Sequence, residues 1–326
     1  MSMNTDVHTN IDKAAAFTAT KLETLRNEIS TLLSASPFNE AMTIITTGSY
    51  GRAEATEESD LDWFIIFDRD QPVEVISDEI QGINEVITRH IDKVTGDTGT
   101  FGKDAIVRFS EMQNNIGGND DSNESLTRRL LFLLEGTWLY GEERFADYRR
   151  QLLEKYIKPD APGEQMPRFL LNDIIRYYRT IATDFEFKTS ERKKPWGLRN
   201  IKLRFSRKLI YFSGIIVAAE LKELGWQQKI EKGLALFEQF PLERIRALGA
   251  DLAATPVILA TYESFMARLA QPEVRQALEG VVKEQRLENP EYKELRKTSH
   301  EFSKALHKWL KEKYGEEHPI HHALVF

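Results

Sequence analysis

The chain has 326 residues, 41% hydrophobic and 29% charged, which suits a folded globular protein and excludes a disordered one. A net charge of −7 excludes a surface that coats nucleic acid throughout, and the lack of cysteine excludes disulfides, thiol catalysis and cysteine-bound metals. No apolar run reaches the ~18 residues of a membrane span, and the first residues lack a signal peptide's apolar core, so a cytoplasmic enzyme is expected.

The spacing of apolar residues predicts a helix from about Asn10 to Ser34, with Ile11, Ala15, Phe17, Leu22, Leu25, Ile29 and Leu32 on one stripe. Met42–Thr47 is rich in β-branched residues and reads as a strand. It runs into Gly48-Ser49-Tyr50-Gly51-Arg52, and an acidic spacer then leads to Ser59-Asp60-Leu61-Asp62. The apolar run Trp63–Phe67, closed by Asp68-Arg69-Asp70, reads as a buried strand. Side chains two apart in a strand share a side, so Asp60 and Asp62 are expected to face one way. Two carboxylates held together repel each other unless a divalent cation keeps both ionised. The glycine turn beside them lets backbone N–H groups approach an anion closely. Turn and carboxylates together point to a metal–nucleotide site. The competing reading is a hairpin with a solvated acidic turn.

Pro72 suits the first turn of a helix running to about Lys93. Thr95–Gly102 follows as a glycine-rich loop, a substrate-binding segment or a plain connection. Lys103–Glu111 reads as a third strand, Asn114–Asp121 as a turn cluster, and Leu126–Leu139 and Glu143–Tyr156 as helices. Pro159, Pro162, Gly163 and Pro167 mark a domain boundary at about residue 160. Beyond it the pattern is helical, starting with Arg168–Lys188. Residues 192–208 carry eight basic side chains and no acidic one, a local positive field in an acidic protein. Within that window, Arg199 and Lys202 are the candidates for contact with a triphosphate or other polyanion, against a solvated basic face. His318, His321 and His322 read as a mobile tail rather than a metal site.

Gly48, Ser49, Gly51, Ser59, Asp60 and Asp62, with Trp63–Phe67 as the strand, resemble the motif of the nucleotidyltransferase superfamily related to DNA polymerase β. The resemblance covers roughly the first 110 residues and implies an α+β fold: a small mixed sheet flanked by helices (residues 1–160, core about 35–125), followed by a helical domain (161–326). It implies transfer of a nucleoside monophosphate from an NTP to a hydroxyl or phosphate acceptor, with release of pyrophosphate. Asp60 and Asp62 would hold Mg²⁺ or Mn²⁺, while Gly48, Ser49, Arg52 and Ser59 would hold the nucleotide. The superfamily commonly adds a third carboxylate on a neighbouring strand, for which Asp104 is the candidate and Glu111 the alternative. The acceptor class stays open among protein, RNA and small molecule; DNA is not expected. Asn115-Ile116-Gly117-Gly118 with Leu126–Leu130 resembles a branch of bacterial nucleotidyltransferases loosely related to the PII-protein uridylyltransferase. Two alternatives remain beside transfer to an acceptor: a nucleotide second-messenger synthase, and a nucleotide-sensing protein without turnover.

Overall fold

The chain order is α1 (Thr9–Leu33), β1 (Met42–Thr47), the short helical turn α2 (Gly48–Gly51), β2 (Asp62–Phe67), α3 (Ser77–His90), β3 (Ile106–Val107), α4 (Phe109–Gln113), α5 (Asn123–Leu134), β4 (Thr137–Tyr140) and α6 (Glu142–Tyr156). Helices α7 (Arg168–Ser190), α8 (Trp196–Lys202), α9 (Lys208–Glu220), α10 (Trp226–Glu238), α11 (Pro241–Leu248), α12 (Ala254–Leu269), α13 (Pro272–Glu279), α14 (Pro290–Lys313) and α15 (Pro319–Ala323) complete it. This computed structural model describes residues 8–93, 100–159, 165–191 and 195–325. Residues 95–99 of the expected loop, Pro162 and Gly163 of the expected boundary, and Arg192, Lys193 and Lys194 of the basic window lie outside them.

The molecule divides into two compact units, residues 14–163 with 224–240, and residues 1–13 with 164–223 and 241–326. The first is built on a four-stranded mixed sheet of order β3-β2-β1-β4. Strand β1 pairs antiparallel with β2 and β4, and β2 pairs parallel with β3. The fold is α+β, as the resemblance implies. Alternation along β1 and β2 sends Met42, Ile44, Trp63, Ile65 and Phe67 into one core with Leu22, Leu25, Ile29 and Leu33 of α1 and Ile83, Val86 and Ile87 of α3. The buried row of α1 runs through Ala14, Thr18, Leu22, Leu25, Ile29 and Leu33, so Leu32, expected inside, is exposed instead.

Three expected elements differ. The third strand shrinks to Ile106–Val107, because α4 takes over at Phe109. The expected helix Leu126–Leu139 stops at Leu134, where Gly136 lies so close to the Phe132 carbonyl that a Cβ would stand 2.6 Å from it. The chain then becomes β4, and register with β1 overrides the helical propensity of that run. The histidine tail is also ordered: Pro319–Ala323 forms α15, Ile320 is fully buried, and His321 Nε2 lies 3.2 Å from the Tyr314 carbonyl.

The Asn114–Asp121 turn cluster is anchored by a bidentate pair. Arg129 donates to Asp121 Oδ1 and Oδ2 at 2.9 and 3.0 Å, and both side chains are wholly buried. Arg129 Nε also reaches the Tyr156 hydroxyl at 2.8 Å, and Asp121 Oδ2 accepts from the Gly117 N–H at 2.8 Å. One ion pair thereby ties α5, α6 and the turn together.

The second unit is helical in its described residues. Phe205, Tyr262, Phe265 and Phe302 form an aromatic core, with the Phe205 and Phe265 rings stacked at 4.4 Å. Gly197 of α8 presses onto α13, where a Cβ would stand 2.4 Å from the Leu278 carbonyl. Between α8 and α9, Leu203–Arg207 winds as a π-helix. Replacing Arg129 with Leu is expected to cost about 3–5 kcal/mol, because Asp121 is left buried and unneutralised. Urea unfolding of the variant beside the parent chain measures it.

Candidate functional site

The register places the site. Thr47, the last residue of β1, stands opposite Asp62, the first of β2, so the chain leaves β1 for the Gly48 turn directly beside the Asp62 carboxylate. Gly48 has φ +68, and a Cβ there would stand 2.6 Å from Asp62 Oδ2. Only glycine accepts both that backbone and that proximity. Helical turn α2 then rises from the strand end, with Tyr50 and Gly51 buried and Ser49 half-buried.

Asp60, Ser59 and Asp62 are all half-buried. Asp60 precedes the first residue of β2 rather than lying in the strand, so strand alternation does not by itself set its direction. Ser59 closes the preceding turn: its N–H donates to the Thr56 carbonyl at 2.9 Å and its Oγ accepts from the Thr56 N–H at 3.0 Å. Thr46 Oγ1 donates to the Asp62 carbonyl at 2.9 Å, holding the strand end. Burial, followed by the charges of Glu57 and Asp60, raises the Tyr50 phenol to about 12, so it stays neutral at physiological pH.

A residue the sequence reading passed over organises the turn. Glu135, between α5 and β4, is wholly buried and accepts from the Gly48 N–H at 2.8 Å. Its other oxygen accepts from Arg52 Nη1 at 2.6 Å, while Arg52 Nε reaches Glu54 at 2.8 Å. The pairing of β4 with β1, Thr137 opposite Thr46, brings Glu135 to the end of β1. Gly51 seals the contact, since a Cβ there would stand 2.2 Å from the Glu135 carbonyl. Arg52, expected at the nucleotide, is thus engaged inside the fold by two carboxylates. The one signal for Glu135 in the sequence is a lone acid closing the apolar run Leu130–Leu134.

The remaining candidates lie on other elements, and the turn that carries Asp104 runs beside the start of β2, where the Gly102 N–H donates to the Trp63 carbonyl at 2.7 Å. Asp104 is exposed in the turn ahead of β3, and Glu111 is exposed on α4, not at the end of a long strand. Among the described residues, no three or more His, Cys, Asp or Glu side chains group as a metal site. Thr47 Oγ1 is buried without a hydrogen-bond partner at the strand position facing Asp62. Arg199, exposed, and Lys202, half-buried, lie on α8 in the helical unit.

Two substitutions separate backbone from charge in this turn, and chemical unfolding reads both. Glu135→Ala leaves Arg52 without one of its buried carboxylates and is expected to cost about 3–5 kcal/mol. Gly48→Ala imposes left-handed backbone strain of about 1–2 kcal/mol and drives its methyl into the Asp62 carboxylate.

Residues 22–113 match the family model described as a nucleotidyltransferase domain. No curated protein matches the chain at a significant level. The match spans α1 from Leu22, the Gly48 turn, the Asp60 and Asp62 carboxylates, and β3 with α4. This stretch of the chain is a nucleotidyltransferase domain of the DNA polymerase β-like superfamily.

Proposed function

We propose that the chain transfers a nucleoside monophosphate from an NTP to a hydroxyl or phosphate oxygen of an acceptor, with release of pyrophosphate. The observation that carries this reading is the contact between the Gly48 turn and the Asp62 carboxylate, which joins an anion-tolerant turn to a cation-binding acid. The donors suit a hard divalent cation, Mg²⁺ or Mn²⁺. Asp60 and Asp62 supply carboxylate oxygens, and the buried, unpartnered Thr47 hydroxyl adds a polar atom facing the same place. Such ions usually take one or two protein carboxylates and complete their shell with phosphate oxygens and water, so a closed protein cage is not required. When bound, the cation would neutralise triphosphate charge and polarise the attacked phosphorus.

The chain's own groups would do the rest. Ser49 would orient the outer phosphates at the start of α2, and Gly48, whose own N–H is held by Glu135, would let them come close. The acceptor oxygen attacks the α-phosphorus, its proton passes to a carboxylate, and the bond from that phosphorus to the β-phosphate oxygen breaks as pyrophosphate leaves. Asp104 is assigned the proton-accepting role, with Glu111 as the alternative acid. A neutral Tyr50 beside Asp60 adds no negative charge to a site that must receive a triphosphate. A second reading, nucleotide sensing without turnover, is favoured by one observation: among the described residues no third acid joins the aspartates in a metal-holding group.

Incubation with each α-labelled NTP, Mg²⁺ or Mn²⁺ and cell extract tests the proposal. Transfer of label to an extract component is expected, falling at least about a thousandfold in Asp60→Ala/Asp62→Ala, which removes several kcal/mol of charge stabilisation. Label in a small nucleotide without extract would instead identify a second-messenger synthase. NTP binding without any product would identify the sensor. In the same assay Asp104→Asn is expected to lower transfer about 10²–10⁴-fold, while Glu111→Gln leaves it near the parent level.

A further inference from the structure

We infer that the helical unit carries a binding surface for the phosphodiester backbone of a single-stranded polynucleotide, built from Arg204, Lys208, Arg296, His300 and Lys304. This surface belongs to neither the Gly48 turn nor the Asp60/Asp62 pair, and the inference does not depend on the transferase reading.

Two helical segments form it. Arg204 lies in the π-helical stretch Leu203–Arg207 and Lys208 opens α9, four residues on. On α14, Arg296, His300 and Lys304 recur every fourth residue and therefore share one face. From Arg296 to Lys304 that row extends about 12 Å at 1.5 Å per residue, longer than one phosphate group. Exposed His300 and Lys304 lie beside the half-buried Arg204, Lys208 and Arg296.

Neutral partners hold the two cations of the first segment. Arg204 Nε donates to Asn200 Oδ1 at 2.8 Å, and the same amide oxygen accepts from the Tyr292 hydroxyl at 2.9 Å. Lys208 Nζ donates to Ser303 Oγ at 2.6 Å. These contacts orient the cations without cancelling their charge, unlike the carboxylate pairs of Arg52 and Arg129. The electrostatics agree. Burial and then Arg204 lower Lys208, whereas His300 is lowered by partial burial and then by Arg204, Arg296, Lys208 and Lys304. The charges acting on Tyr292 are those of Arg204, Arg296 and Arg286. The leading influences on all three groups are burial and neighbouring cations. The α14 row ends at Lys308, which pairs with Glu312.

An aromatic platform adjoins the cations. Tyr178 of α7 and Tyr211 of α9 stack at 4.3 Å and 12°, both half-buried, with the charge of Arg204 acting on Tyr178 and that of Arg179 on Tyr211. Proteins that hold single strands without reading sequence combine a row of cations with aromatic rings, and here the rings are half-buried. In a chain of net charge −7, such a row is a local positive field that attracts a polyanion.

Fluorescence anisotropy of the full-length chain with a labelled 20-nucleotide oligo(U) tests this, across salt concentrations. Saturable binding at low salt is expected, with a matched DNA oligomer binding comparably, since the contacts are to backbone. Arg296→Gln/Lys304→Gln should weaken it at least tenfold and reduce the log–log salt slope by about 1.4, at about 0.7 per lost phosphate contact. Arg204→Gln should weaken it independently, and circular dichroism confirms that each variant is folded. The charge-matched control Lys103→Gln/Lys158→Gln, at exposed positions of the other unit, should bind like the parent. Absence of binding overturns the inference, as does equal binding by parent and Arg296/Lys304 variant. Displacement of the oligomer by inorganic tripolyphosphate at matched phosphate concentration would also overturn it, by identifying a compact anion site.

Discussion

The arrangement of the first unit depends on one buried carboxylate. Glu135 accepts from the Gly48 N–H and from Arg52, so a single side chain fixes both the backbone of the glycine turn and the residue that follows it. Charge-assisted hydrogen bonds of this kind are roughly twice as strong as neutral ones, and burial raises the cost of losing either partner. The carboxylate is delivered by β4, a short strand that pairs with β1 and brings the residues ahead of it to the strand end. Glu135 thus links the sheet's edge to the turn at its centre.

That anchoring has a consequence for the site. If the turn receives a polyanion, as proposed, keeping its shape while empty avoids the affinity lost by ordering it on binding. The buried carboxylate supplies the order. Arg52, engaged by Glu54 and Glu135, helps to hold the turn in place. The Thr47 hydroxyl stands out by contrast as a buried polar atom without a hydrogen-bond partner, since such atoms are nearly always satisfied.

Four cations, two in each unit, are held in different ways. In the first, Arg52 and Arg129 are neutralised by carboxylates and serve as internal fasteners. In the second, Arg204 and Lys208 are oriented by an amide and a hydroxyl, and their charge remains available at the surface. The π-helical turn that carries Arg204 shifts the register between α8 and α9, and such insertions frequently accompany functional positions in helices.

Much of this was legible in the residues alone. The strand–turn–strand around Gly48 and the two long helices α1 and α7 follow from hydrophobic period and glycine placement, which are local properties, and the α+β class from the family resemblance. Local pattern also marked residues 192–208 as basic. It did not distinguish Arg199 and Lys202 from Arg204 and Lys208, because Ser303, the α14 partner of Lys208, lies 95 residues along the chain. Past Leu134 the local preference was to continue the apolar helix, yet the chain turns at Glu135 and forms β4 because β1 offers an edge to pair with. Asp104 and Glu111 looked like the two ends of one strand, and the early start of α4 put them on different elements. The order of residues was enough to place the strand–turn–strand around Gly48 and the long helices α1 and α7, since these depend on neighbours a few residues apart. Which carboxylate meets Gly48, which arginine is neutralised and which stays available emerged with the folded chain, because each rests on long-range pairing and burial that no local pattern encodes.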